Sequence, residues 1–320
     1  MKKRFFIPIA ILLILILIDV LGGNYLVNFA ITRKNASGTK VAPTSITETD
    51  DQKIINENYE EITEKGDEWL ETADVSNANI TSDDGLNLVA DYYNTNPDSH
   101  KYAIVVHGYS GNRVHMKAYG LYYAEQDYNI LMPDLRSHGD SEGTYIGMGW
   151  LDKDDMLKWI DYIVSMDPEA QIMLHGVSMG GATVLMTSGE NLPDNVKAIV
   201  DDCGYTSVWD IFADEMEYLF NLPEFPFLYS ASFFANIRAG YDFKEASSIE
   251  QVRKTTLPIF FAHGSVDNFV HTDMVYELYD ACPTDKELYV VEGAGHGQAM
   301  YYDPDTYFDK VFNFIGKYVD

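Results

Sequence analysis

From Asn77 to its end the chain keeps one rhythm: a short β-branched or apolar run, a glycine-rich turn, then a segment of helical period. The strand candidates are 78–81, 86–93, 103–107, 129–133, 172–175, 196–201, 258–263 and 287–291. Between them, apolar residues gather on one helical face, as at Met156, Trp159, Ile160 and Ile163, and again at Phe308, Val311, Phe312 and Ile315. Such alternation predicts an α/β fold: a mostly parallel, eight-stranded sheet with helices on both faces. In sheets of this kind reactive residues collect where the carboxyl ends of the strands converge on one crevice. With 320 residues, 46% of them hydrophobic, the chain can bury the core of one large domain.

Charge narrows the partners. The chain holds 22 Lys+Arg against 50 Asp+Glu, a formal net charge of −28. Nucleic-acid binding runs on basic side chains neutralising phosphates, so this balance argues against it, and equally against basic-patch docking on anionic lipid. Its plainest meaning is a solvated, self-repelling surface. Cys203 and Cys282 are too few for a disulfide scaffold, and with no CxxC or CxxH spacing a zinc site is not expected. Cys203 is expected to be a buried free thiol.

The basic residues are unevenly spread. Lys2, Lys3 and Arg4 precede an unbroken apolar run from Phe5 to Ile18, and apolar residues continue to Ile31 around Asp19 and Asn24. Without residues 1–31 the remainder carries −30. A 14-residue run fits the core of a signal peptide, whereas the longer stretch suffices to span a bilayer. No A-x-A-like cleavage site follows, so 1–31 are read as an uncleaved signal anchor. The basic end then stays in the cytoplasm and the rest of the chain lies outside a single-pass membrane segment. Secretion after cleavage is the alternative. Residues 32–76 are read as a polar tether to about residue 50 followed by an acidic surface helix, and 77–320 as the domain.

Four turns at strand ends carry chemistry. After 172–174 comes Gly176-Val177-Ser178-Met179-Gly180, followed by a helical run. A G-x-S-x-G turn between strand and helix sets its serine on a strained corner, where side chains at the glycine positions would clash. A serine hydroxyl needs an imidazole to take its proton, and the imidazole needs a carboxylate to hold its tautomer. Strand 258–262 runs into His263-Gly264-Ser265-Val266-Asp267, and the last strand runs into Gly293-Ala294-Gly295-His296-Gly297. Asp267 and His296 thus follow Ser178 in the order serine, acid, histidine. Asp202, at the end of strand 196–201, is the rival acid. An oxyanion needs two backbone N–H donors; Met179 follows the serine, and Tyr109 follows His107-Gly108 in the turn after the third strand.

Together these turns, with Asp134-Leu135-Arg136-Ser137-His138-Gly139-Asp140-Ser141-Glu142-Gly143 after the fourth strand, resemble the α/β-hydrolase superfamily over residues 77–320. Within it the chain is most similar to bacterial membrane-anchored hydrolases related to the Bem46 group, cinnamoyl esterases and serine-aminopeptidase-like esterases and lipases. The resemblance implies an α/β-hydrolase fold and hydrolysis of an ester, thioester or amide through an acyl-enzyme, without metal or cofactor. It assigns Ser178 as nucleophile, His296 as general base then acid, Asp267 as orienting carboxylate, and the N–H groups of Tyr109 and Met179 to the oxyanion.

An insert of about 50 residues, 204–256, interrupts the rhythm and is dense in large apolar side chains. By the same resemblance it forms a short helical lid over the serine, with an apolar pocket wall assigned to Trp209, Phe212, Met216 and, beside Asp267, Phe269. Some of these side chains must simply glue the lid to the domain. His107, His138, His175 and His263 are read as loop-bracing residues, and Asp134 and Arg136 as holding the turn after the fourth strand. The expected activity is that of a carboxylesterase-like serine hydrolase on a small-molecule acyl ester. A serine peptidase or amidase on the same triad is the alternative. A noncatalytic surface binding protein is disfavoured because no triad position is lost.

Overall fold

The structure of the chain, a computed structural model, describes residues 3–33 and 49–319. Lys2 and most of the expected tether, residues 34–48, lie outside them. The chain runs α1 (Lys3–Ile31), α2 (Asp50–Thr72), β1 (Val75–Thr81), β2 (Asn87–Tyr93), β3 (Lys101–Val106), a 3-10 turn (Arg113–Met116), α3 (Lys117–Ala124), β4 (Asn129–Pro133), α4 (Asp152–Met166), β5 (Gln171–Val177), α5 (Met179–Thr187) and β6 (Val196–Asp202). Then come α6 (Val208–Phe220), α7 (Glu224–Ala239), α8 (Ser248–Val252), β7 (Ile259–Gly264), α9 (Asp273–Ala281), β8 (Lys286–Val291), α10 (Ala299–Tyr302) and α11 (Pro304–Ile315).

The eight strands form one sheet in the order β1-β2-β4-β3-β5-β6-β7-β8. β2 pairs antiparallel with β1 and β4, and every other pairing is parallel. β3 and β4 are buried almost throughout because helices cover both faces, which is why they read as continuous apolar runs. β1 begins three residues earlier than its apolar run, since Val75, Ser76 and Asn77 lie exposed at the sheet edge where hydropathy gives no signal.

Two apolar layers flank the sheet. On one face Met156, Trp159, Ile160 and Ile163 of α4 pack with α5 and the insert; on the other, Phe308, Val311, Phe314 and Ile315 of α11 pack with α3. The segments before residue 75 join these layers. Thr49 caps α2, its hydroxyl accepting from Gln52 N at 3.1 Å, and Asp50 and Asp51 favour the helix N-terminus. Ile55 and Ile62 are buried, and the Trp69 ring lies 4.8 Å from that of Tyr93. α1 holds a stretch, Ile11–Ile31, long and apolar enough to cross a membrane by length and composition. Its side chains from Ile11 to Ile18 are exposed, whereas Gly23, Val27 and Ile31 are buried against α7 and the domain. Ile146 N donates to Ile31 O at 2.8 Å, and the Arg33 guanidinium donates to the carbonyls of Gly139 and Ser141 at 2.7 Å.

Candidate active site

β3 lies between β4 and β5, so the sheet changes its direction of winding there and a crevice opens at the carboxyl ends of β3 and β5. Ser178 stands in that crevice, on the corner between β5 and α5, with φ 58° and ψ −118°. This backbone is costly for a side-chain-bearing residue and is held by the packing around it. A Cβ on Gly176 would come within 2.0 Å of the Gly180 carbonyl oxygen, and one on Gly180 within 2.2 Å of the Val106 carbonyl oxygen. The glycines are therefore what lets the corner close against β3. Ser178 N donates to Asp202 O at 2.8 Å, which ties the corner to β6.

His296, in the loop after β8, brings Nε2 to 2.7 Å from Ser178 Oγ and Nδ1 to 2.7 Å from Asp267 Oδ2. The other carboxylate oxygen of Asp267 accepts from Phe269 N at 2.9 Å and Val270 N at 3.0 Å. Burial alone would raise the pKa of Asp267, but hydrogen bonds from His263 and His296, and their charge, hold it below the ordinary range. Asp267 is thus an acceptor at neutral pH, so His296 carries its proton on Nδ1 and presents a bare Nε2 to the serine hydroxyl. That arrangement can draw a proton from Oγ as it attacks a carbonyl carbon and can return it to a leaving group.

The rival acid is placed differently. Asp202 Oδ2 accepts from the Tyr307 hydroxyl at 3.0 Å and the Tyr119 hydroxyl at 3.4 Å, not from His296. Burial pushes its pKa up to about 6. Of the other strand-end histidines, His107 braces a loop as expected, whereas His175 joins the helices α3 and α11 rather than a loop. His107 accepts from Leu135 N at 3.0 Å and so donates through Nδ1 to Gly108 O at 2.8 Å. His175 sits between the Tyr123 and Tyr307 hydroxyls, at 3.0 and 3.2 Å, with its pKa pushed down to about 3 by burial. Arg136 grips Asp155 with two bonds of 2.7 Å, and Asp134 accepts from Arg113 N and Asp140 N, which fixes the turn after β4.

His263 has a further contact beyond loop bracing. Its Nε2 lies 2.9 Å from Val270 O and 3.2 Å from Asp267 Oδ2, so the acid faces two imidazoles. The pattern His263-Gly-Ser-Val-Asp267, a strand-end histidine four residues before the acid, is the signal that could have revealed it. Glu215 of α6 is half-buried within electrostatic reach of His296. Burial and Asp214 raise its pKa to about 7, against the opposing charges of His296 and His271. Nothing in the sequence sets it apart from its acidic neighbours on α6.

A cavity of about 210 Å³ opens beside the serine. Gly108, Tyr109, Val177, Gly297, Tyr119 and Tyr301 are among the residues that line it. A Cβ on Gly108 would lie 3.2 Å from Ser178 Cβ, so the turn carrying Tyr109 backs directly onto the nucleophile corner. Met179 opens α5, where first-turn N–H groups have no partner within the helix. Of the four residues assigned to the pocket wall, Phe269 packs against His296 with centroids 4.9 Å apart and the ring planes inclined by 56°. Trp209 packs against Tyr229 and Phe212 against Phe243, both at 4.8 Å, and Met216 is buried. None of the four lines this cavity. The insert does fold into helices, but the large side chains of α6 chiefly join it to the domain.

Among the described residues, Cys203, Asp267 and His296 bring potential metal-ligand atoms within 4.8 Å of one another. They fit a metal poorly: burial raises the Cys203 thiol well above its usual range, and the Asp267 and His296 atoms already bond each other. Cys203 and Cys282 are both free and buried.

Comparison with known proteins agrees with the architecture. A family model described as the alpha/beta hydrolase fold matches residues 104–226. YqkD of Bacillus subtilis, a protein of uncharacterised function, is 28% identical over 68% of this chain and 72% of its own length. Among solved structures, the Pyrococcus furiosus esterase Pf2001 aligns with TM-score 0.65 at 24% identity, covering 78% of this chain and 93% of the esterase. An acylaminoacyl peptidase of Pyrococcus horikoshii aligns with TM-score 0.57 at 16% identity, over 76% of this chain and 42% of the peptidase. With the sheet order, the strained corner and the crevice at the strand ends, these likenesses show that the chain has the α/β-hydrolase fold.

Proposed function

We propose that the chain is a membrane-anchored serine hydrolase that cleaves small neutral acyl esters through an acyl-enzyme. The observation that carries this reading is the unbroken chain Ser178 Oγ, His296 Nε2, His296 Nδ1, Asp267 Oδ2, with 2.7 Å at both hydrogen bonds and the serine on a strained corner. In the reaction Ser178 Oγ attacks the ester carbonyl while His296 takes its proton. The N–H groups of Met179 and Tyr109 receive the oxyanion. His296 then protonates the leaving alkoxide, and water, deprotonated by the same imidazole, releases the acid. Asp267 holds the imidazole in the required tautomer throughout.

A cavity of about 210 Å³ suits a small acyl group, and no lysine or arginine lines it. The net charge of −28 disfavours anionic substrates further. The anchor reading is supported by the fit of α1 to the domain. Val27 and Ile31 are buried, Arg238 donates to the side chains of Asn24 and Asn28 at 2.8 and 2.6 Å, and the Tyr109 hydroxyl donates to Ala30 O at 2.6 Å. Removal of residues 1–31 would expose apolar core and strip Tyr109 of a partner.

The full-length protein in detergent, labelled with a fluorophosphonate probe and assayed on p-nitrophenyl esters and aminoacyl amides, tests the activity. Labelling and ester turnover should vanish in Ser178→Ala. Labelling that survives this change overturns the assignment of the nucleophile, and amide turnover above ester turnover makes the protein a peptidase.

A further inference from the structure

α7 has three faces. Leu228, Ala231, Ser232 and Ala235 are buried in the domain. A second face lies against α1, where the approach is close enough that a Cβ on Gly23 would come within 2.5 Å of Ser230 Cβ. The third points outward and carries Phe225, Tyr229, Phe233 and Ile237 at four-residue spacing, with Phe225 73%, Phe233 60% and Ile237 65% exposed. Tyr218 and Leu219, at the end of α6, are exposed as well. No charged residue occurs between Glu224 and Arg238, in a chain where 22% of residues are charged. A helix turned toward water would place charges on that face.

The position of α1 identifies the occupant. Its 29 residues extend about 43 Å, whereas a hydrocarbon core of about 30 Å takes about 20 residues. Counted from Lys3, the outer boundary falls near Gly22. The first turns of α7 lie at that level: the Phe227 ring is the nearest neighbour of Gly22, and the Ser230 hydroxyl donates to Asp19 at 2.6 Å. Asp19, the one acid in α1, therefore faces the insert, its Oδ2 accepting from Ser230 while its Oδ1 is buried without a hydrogen-bond partner among the described residues. A cleft of about 290 Å³ between the two helices, lined by Val20, Phe225, Phe233 and Phe234, opens at the same height. Exposed Tyr25, Tyr218 and Tyr229 are the amphipathic aromatics that favour a headgroup boundary.

We propose that the outward stripe of α7, with the end of α6, docks on the bilayer that α1 enters, seating the insert at the boundary between headgroups and acyl chains. Apart from Lys244, whose ammonium lies 4.5 Å from the Tyr229 ring, the surface is apolar, and the protein is strongly acidic, so the contact is hydrophobic insertion and needs no anionic lipid. The proposal rests on the reading of α1 as a membrane anchor, but not on the ester chemistry.

The test uses the full chain in phosphatidylcholine bilayers. Nitroxide labels are placed singly through Leu15→Cys, Phe233→Cys, Ile237→Cys and, at the opposite end of the sheet, Met166→Cys; the native Cys203 and Cys282 are buried. Collision with oxygen, which concentrates in lipid, is compared with collision with a water-soluble nickel chelate. Positions 15, 233 and 237 should shift to the lipid-like pattern while 166 stays water-like. Lipid at 15 with water at 233 and 237 overturns the docking and leaves the anchor standing. Water at 15 removes the anchor and the docking together. Protection of 233 and 237 from both reagents, with spectral broadening that disappears on dilution by unlabelled protein, makes a second copy the occupant and also overturns the proposal.

Discussion

The ends of β6 and β7 lie side by side in the sheet, and each carries buried aspartates with opposite electrostatic fates. Asp267, past the end of β7, receives two backbone N–H groups and faces two imidazoles, and its pKa falls despite burial. Asp201 and Asp202, at the end of β6, receive one N–H and two hydroxyls between them, and burial pushes them up to about 8 and about 6. Asp201 Oδ2 and Asp202 Oδ1 have no partner among the described residues. A strand-end carboxylate can orient an imidazole only where donors stabilise its charge; burial without them yields a group that prefers its proton.

The largest expected effect separates the two ends directly. Asp267→Asn should lower kcat by roughly 10⁴-fold, since an amide leaves the imidazole in the wrong tautomer. Asp202→Asn should leave kcat/KM within about threefold, because it shares no hydrogen-bond partner with His296. Steady-state assays on one ester decide between them, and a greater loss in Asp202→Asn would falsify the assignment of the acid.

A smaller effect is expected from the second imidazole on the acid. His263→Phe removes a donor to a charged carboxylate, worth roughly tenfold in kcat. His263→Gln keeps an N–H in reach and should recover part of that loss. Equal losses in both variants would mean that His263 acts through packing alone.

The smallest effect is on stability, and its sign differs between the two ends. A carboxyl whose folded pKa is raised stays protonated while the unfolded chain ionises near pH 4, so stability falls as pH rises from there to the folded value. For Asp201 that window runs from about 4 to about 8, with a slope of about 1.4 kcal/mol per pH unit. Asp267 behaves oppositely: its contribution is present above about pH 4 and is lost as pH falls toward its depressed folded value. Asp201→Asn should therefore flatten the decline in stability between pH 5 and 8 without changing esterase activity. Denaturation of the full-length protein in detergent at those two pH values measures it, and an unchanged slope would show that Asp201 is ionised in the folded state.

Much of the active-site end was legible because each of its turns announces itself locally. Gly176, Ser178 and Gly180 must sit at fixed spacing for the corner to close, and Asp267 and His296 each follow a run that reads as a strand, buried throughout before Asp267 and half-buried before His296. Order along the chain admits both Asp267 and Asp202, since each lies between Ser178 and His296, and the physical reason to prefer Asp267 could not be read from the sequence. Which of two strand-end aspartates receives backbone donors depends on the path of the loop after it. The pocket wall was the least legible part. Trp209, Phe212 and Met216 are apolar in sequence whether they face a substrate or their own helix neighbours, and in the structure they pack among themselves and the domain.

The sequence by itself determined the α/β alternation, the strained serine corner and the presence of an apolar N-terminal stretch, since each is set by periodicity or by side chains a few residues apart. Only the tertiary structure decided that Val27 and Ile31 belong to the core, that Asp19 meets Ser230, and that His263 reaches the acid of the site. Asp19 and Ser230 stand more than two hundred residues apart along the chain, with six of the eight strands between them. An apolar helix looks the same in sequence whether it faces lipid or protein. What it faces is fixed by the surface that folding brings to it.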